Sequence, residues 1–86
     1  MENYFIYALV SEIDQRIYVG FTVDVNRRLR EHNSGQTTST KGYRPWSLLY
    51  TECVVGRNDA RKREKYLKSG IGKEFLKSVR DNNIRG

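Results

Sequence analysis

Two seven-residue runs, YFIYALV (4–10) and RIYVGFT (16–22), stand on either side of the segment SEIDQ. Both are rich in aromatic and β-branched residues, which pack well on a pleated surface, and the spacer is built of turn formers. The spacing predicts a β-hairpin. In a chain of 86 residues that hairpin fixes much of the fold, because such a length buries one modest core in one or two layers. Neither run alternates strictly between apolar and polar residues, so an inner strand covered on both faces is expected.

Downstream, Thr22 is placed to cap a helix whose first turn holds Asp24. Val25, Leu29 and His32 follow at intervals of four and three, with Arg28 beside that stripe. Asn33, Ser34 and Gly35 stop the helix, and QTTSTKGYRP (36–45) reads as a loop. WSLLYTECVV (46–55) is a third strand, with Trp46, Leu48, Leu49 and Tyr50 at or near the core. Asn58 is a good cap for a helix over 59–69. A last helix over 73–82 should turn Phe75, Leu76 and Val79 inward. The order is β-β-α-β-α-α, an α+β domain over residues 1–86 with a small antiparallel sheet flanked by three helices.

Sixteen Lys and Arg against ten Asp and Glu leave a net charge of +6, which suits a polyanionic partner if the charge is clustered. It is clustered. Arg57, Arg61, Lys62, Arg63, Lys65 and Lys68 fall in one segment, Arg27, Arg28 and Arg30 in a second, and Lys41 with Arg44 in a third. The single cysteine, Cys53, forms no internal disulfide, which fits a reducing, cytoplasmic location. MENYFIYALV lacks a basic leader, and no apolar run is long enough to span a membrane.

The most informative position is Glu64. Ala60, Glu64 and Leu67 share one face of the helix over 59–69, so a carboxylate interrupts an apolar stripe. Burying an unpaired carboxylate costs several kcal/mol, so the acid must be paired, metal-bound or at a cleft edge. There is no nucleotide-binding glycine fingerprint, phosphate loop, serine triad or cysteine–histidine metal motif. What remains is Tyr7, Tyr18, Arg28, His32 and Glu64. The tyrosines sit on the two arms of one hairpin, an arginine fork matches phosphate oxygens, and a carboxylate suits a hard divalent cation. These groups would suffice for phosphodiester hydrolysis with one metal. They serve equally well in a basic protein that binds without cutting.

FIY (5–7) and YVG (18–20), followed by Thr22, Arg28, His32 and Asn33, then KGYRPWSLLY (41–50) and the series from Ala60 to Gly70, resemble the GIY-YIG nucleases. The spacing is similar to that of small single-domain bacterial members, labelled by similarity to the endonuclease subunit of nucleotide excision repair. The resemblance implies a three-stranded antiparallel sheet with flanking helices and a Mg²⁺- or Mn²⁺-dependent cut of one DNA strand, in a DNA repair setting. It puts Tyr7, Tyr18, Arg28, His32 and Glu64 in the catalytic positions, with Glu64 as the metal ligand. Arg27, Lys41, Arg44, Arg61, Lys65 and Lys68 would then hold the backbone of branched, flapped or nicked DNA. Nothing in the chain tests for a 2′-hydroxyl, so RNA stays open, as does a homodimer or a partner protein that supplies specificity. Phe5 and Val19 depart from the family signature. The alternatives are a non-catalytic nucleic-acid-binding protein on the same fold, or a partner-binding module.

Overall fold

A computed structural model of the chain describes residues 2–85, and side chains as far as residue 82. Among the described residues three strands and four helices follow in order: β1 (Asn3–Ser11), β2 (Ile17–Thr22), α1 (Val25–Ser34), α2 (Thr38–Lys41), β3 (Trp46–Val55), α3 (Arg57–Lys68) and α4 (Gly70–Arg85). The strands form one antiparallel sheet in the order β2-β1-β3. The first arm of the hairpin is thus the central strand, with Tyr7 opposite Gly20 on one side and Thr51 on the other.

Successive side chains of a strand point to opposite faces, and both faces of β1 are covered. Ile6 and Ala8 enter a core with Val19, Ala60, Leu67 and Leu76 beneath α3 and α4. Tyr7 and Leu9 point the other way, onto Trp46, with Val25 and Leu29 of α1 packed around them. This is why the β1 sequence shows no apolar–polar alternation.

The predicted α+β architecture is the one found, with differences at its boundaries. A short helix, α2, occupies part of the stretch expected to be loop. The cap of α1 is Asp24, whose carboxylate accepts from the Arg27 N–H at 3.0 Å, while Thr22 Oγ1 accepts from the Asp24 N–H at 3.2 Å. Gly35 ends α1 at φ 86°, a left-handed conformation without penalty for glycine. α3 starts at Arg57, before the expected Asn58 cap, and has no side-chain cap bond. α4 starts at Gly70 and runs past residue 82. Gly72 lies within it because a Cβ there would collide with the Tyr66 carbonyl and the Leu67 Cα; glycine lets α4 approach α3 closely. Leu76 is buried as expected, but Phe75 is 43% exposed, its ring edge-on to Tyr50. Leu48 is 44% exposed rather than in the core, next to a register shift of β3 between the partners of Ala8 and Leu9.

α4 also braces the hairpin. Lys73 Nζ donates to the Ile17 carbonyl and Arg80 Nη1 to the Gln15 carbonyl, each at 2.8 Å. The Ser11 N–H bonds to the Arg16 carbonyl, so the even-numbered residues of β2 pair with β1 and Ile17 turns its carbonyl to the outer edge. Lys73 covers that carbonyl, one way of guarding an edge strand. Among the described residues no helix is long and apolar enough to cross a membrane.

Candidate functional site

Tyr7 and His32 form the buried centre of the site. A Cβ at Gly20 would stand 2.7 Å from Tyr7 Oη, so the tyrosine ring lies across the glycine opposite it. Tyr7 Oη is 3.0 Å from His32 Nε2, and His32 Nδ1 is 2.8 Å from Thr40 Oγ1. The Thr40 hydroxyl donates to the Thr37 carbonyl at 3.3 Å, so it accepts from Nδ1–H. Nε2 therefore carries the lone pair, and the Tyr7 hydroxyl donates to it. The electrostatics agree with that assignment. Burial and the Tyr18 phenol push the Tyr7 pKa up to about 12 against the pull of Arg28. Burial, then Arg28, lowers the pKa of His32. Both groups are neutral near pH 7.

The network extends to β3. Trp46 Nε1 donates to the Thr40 carbonyl at 2.9 Å. The Asn33 side chain grips the Trp46 backbone at both ends, accepting from its N–H at 2.7 Å and donating to its carbonyl at 3.0 Å. Among the described side chains no buried polar atom is left without a partner. Sequence reasoning missed Thr40 altogether, since a lone threonine in a polar loop carries no periodic signal.

Tyr18 is half-buried, its ring 4.9 Å from that of His32 and 6.3 Å from that of Tyr7. Arg28 lies near both phenols, but its Nη1 is engaged by Glu31 Oε1 at 2.8 Å. That bond is the main cause raising the Arg28 pKa and lowering that of Glu31.

On each face of the sheet one helix brings a cation near a β2 aromatic, Arg28 of α1 near Tyr18 and Arg57 of α3 over Phe21. On α1, Arg28 lies on the flank beside Tyr7 and Tyr18, while Asn26 on the other flank lines a depression of about 390 Å³ with Leu48 and Thr51 of β3. On α3, Arg63 reaches toward β3 and binds Glu52 at 2.7 Å. Helical geometry then puts Arg57, Arg61, Glu64 and Lys68 on the opposite flank, and the Arg57 guanidinium indeed lies 5.8 Å over the ring of Phe21 in β2.

Glu64 sits beside the buried Ala60 and Leu67, at the edge of the inward stripe. Its side chain is 20% exposed and its Oε2 faces Lys68 Nζ at 3.5 Å. Among the described residues, no hydrogen bond or ion pair joins Glu64 to Tyr7, Tyr18, Arg28 or His32. The sites expected to hold a backbone divide between the two faces of the sheet. Arg27, Lys41 and Arg44 lie on the α1–α2 side, where Arg44 Nε donates to the Lys41 carbonyl at 2.8 Å. Arg61, Lys65 and Lys68 are exposed on α3, where Arg61, Lys62 and Lys65 line a shallow depression of about 290 Å³ with Asn58.

The profile of the GIY-YIG catalytic domain matches residues 3–75. The chain belongs to the GIY-YIG family. Within it, the similar proteins carry the name UPF0213. One, in the ldhD 5′ region of Pediococcus acidilactici, is 36% identical over 86 residues, covering 96% of this chain and 88% of that protein. Another, from Haloquadratum walsbyi, is 40% identical over 70 residues, covering 80% of this chain and 79% of that protein. The solution NMR structure of a UPF0213 protein from Bacillus halodurans matches with a TM-score of 0.54 and 34% identity, over 90% of this chain and 84% of that one.

These findings correct the expectation of a Mg²⁺-dependent endonuclease. The similar proteins bear a name that states no nuclease activity. Glu64 is one carboxylate, and it faces a lysine. Among the described residues no three acid, cysteine or histidine side chains gather where an ion would sit. The hydrolase and repair roles carried by the resemblance fall with the activity, and the binding alternative is the better supported.

Proposed function

We propose that this chain is a non-catalytic nucleic-acid-binding protein on a GIY-YIG scaffold, which grips the sugar–phosphate backbone along the β2 edge. The observation that carries this reading is the cationic flank of α3. Arg57, Arg61 and Lys68 follow one another there, with Lys65 one turn beyond Arg61 on the outer face of the helix, and Glu64 engages Lys68 alone among them. Arg28 and the half-buried Tyr18 approach the same edge from the opposite face of the sheet. Such a rim contacts phosphates and carries no base-reading geometry, so binding is salt-sensitive and tolerant of sequence.

The test is fluorescence anisotropy of labelled duplex DNA, single-stranded DNA and RNA over a range of salt. Four phosphate contacts give a slope of log K on log salt of about −3.6 on duplex, and each contact removed flattens it by about 0.9. Arg61→Ala with Lys65→Ala should weaken binding to all sequences alike. Affinity that ignores salt, or no binding on any of the three polymers, removes the proposal.

A further inference from the structure

We propose that Glu31 is a built-in competitor for phosphate: its carboxylate occupies the Arg28 guanidinium, and a nucleic-acid backbone docks there by displacing it. The inference deepens the binding reading above and rests on it. Glu31 Oε1 is 2.8 Å from Arg28 Nη1, and Oε2 is 3.6 Å from Arg27 Nε, so both of its oxygens face a cation. A carboxylate offers a guanidinium the same paired acceptors as a phosphate. It does so here at the flank of α1 that meets Tyr18 and the β2 edge. Neither partner is locked in, since the side chains of Arg28 and Glu31 are 32% and 28% exposed. They stand one turn apart on one helix, so exchange needs only side-chain rotation.

A partly exposed pair of this kind is weak, which sets its selectivity. A single small anion gains little by displacing a carboxylate already in place, whereas a polymer held at several other phosphates does so readily. Glu31 thereby screens single phosphates and admits the polyanion.

Glu31→Gln tests this, with Glu74→Gln as the charge control, since Glu74 pairs with Lys77 at the same i,i+3 spacing on α4. Removing Glu31 should tighten duplex binding roughly two- to fivefold. The control should not do so to that extent. In an Arg28→Gln background the gain should vanish. Unchanged or weaker binding in Glu31→Gln, or a gain that survives the loss of Arg28, overturns the proposal. Inorganic phosphate, titrated while the Arg28 side-chain NMR signals are followed, gives an independent readout. Glu31→Gln should respond at phosphate concentrations that leave the parent unmoved. That response without any nucleic-acid binding keeps the Glu31 competitor and removes the polymer as its target; equal responses in the two proteins overturn the competitor itself.

Discussion

Gly20 is where one added carbon would strike the buried centre of the site. It is not one of the positive-φ glycines, Gly35 and Gly56, so its backbone does not demand glycine; the space above it does. A Cβ would lie 2.7 Å from Tyr7 Oη, 2.8 Å from Cζ and 3.1 Å from Cε1. Clearing those atoms requires the ring to move by about half an ångström or more, yet Tyr7 is 2% exposed and its hydroxyl is tied to His32. Overpacking costs about 1–3 kcal/mol, and a buried hydrogen bond broken at one end adds about 1–3 kcal/mol. The lower entropy of the unfolded alanine chain returns only about 0.4–1 kcal/mol. Gly20→Ala should therefore lose about 2–4 kcal/mol, which at this size lowers Tm by roughly 10–30 °C. Thermal and urea denaturation followed by circular dichroism measure it. Gly42→Ala is the control, since nothing lies within 4 Å of a Cβ there. The cost should shrink in a Tyr7→Phe background, where the bond to His32 is already gone. A Gly20→Ala protein within about 0.5 kcal/mol of the parent would refute the claim that the glycine seats the tyrosine.

Asn33→Ala removes both side-chain bonds to the Trp46 backbone and should cost about 1–3 kcal/mol in urea denaturation, with the Trp46 fluorescence changing in the native state. Gly72→Ala should destabilise by at least as much, because the obstructing atoms belong to the α3 backbone and cannot rotate away; a variant as stable as the parent would mean that α3 and α4 pack less closely than described. His32 has a folded pKa below its ordinary 6.5, so the unfolded chain binds the proton more readily. The stability this confers is complete above about pH 6.5 and is lost as pH falls through the lower folded value; Tm against pH should show that loss in the parent and not in His32→Gln.

The sheet was legible because its signals are local. β-branched and aromatic runs punctuated by turn residues mark β1, β2 and β3 within a residue or so. The ends of the helices were less so. Gly56 stands just before α3 at φ 89°, where glycine is at ease, and Gly70 opens α4 although glycine is a poor helix former; the α3 start carries no side-chain cap that the sequence would advertise. Tyr7 and His32, set 25 positions apart, meet as hydrogen-bond partners, a pairing that the stripe Val25–Leu29–His32 anticipated only in direction. Thr40 was beyond reach, because its partner His32 and its neighbour Trp46 come from different elements and meet it only in the folded chain. Arg28 has a local partner as well, since Glu31 lies three residues on in the same helix.

Glu64 shows how a sound anomaly leaves its chemistry open. A carboxylate between Ala60 and Leu67 has to be satisfied by a metal, a cation or water, and the sequence could not choose among them. The structure combines the last two: the side chain leans to the flank of the stripe, stays 20% exposed and meets Lys68. An acid four residues before a lysine is also the order that suits a helix. The same placement gives the acid an electrostatic role without a metal. Arg57, Arg61 and Lys68 crowd that flank at a net charge of +6, and one carboxylate relieves their mutual repulsion while leaving most of the field outward. Glu31 does the same for Arg27 and Arg28 across the sheet. Each basic cluster at the β2 edge thus carries one acid, which tempers a surface that would otherwise hold any anion.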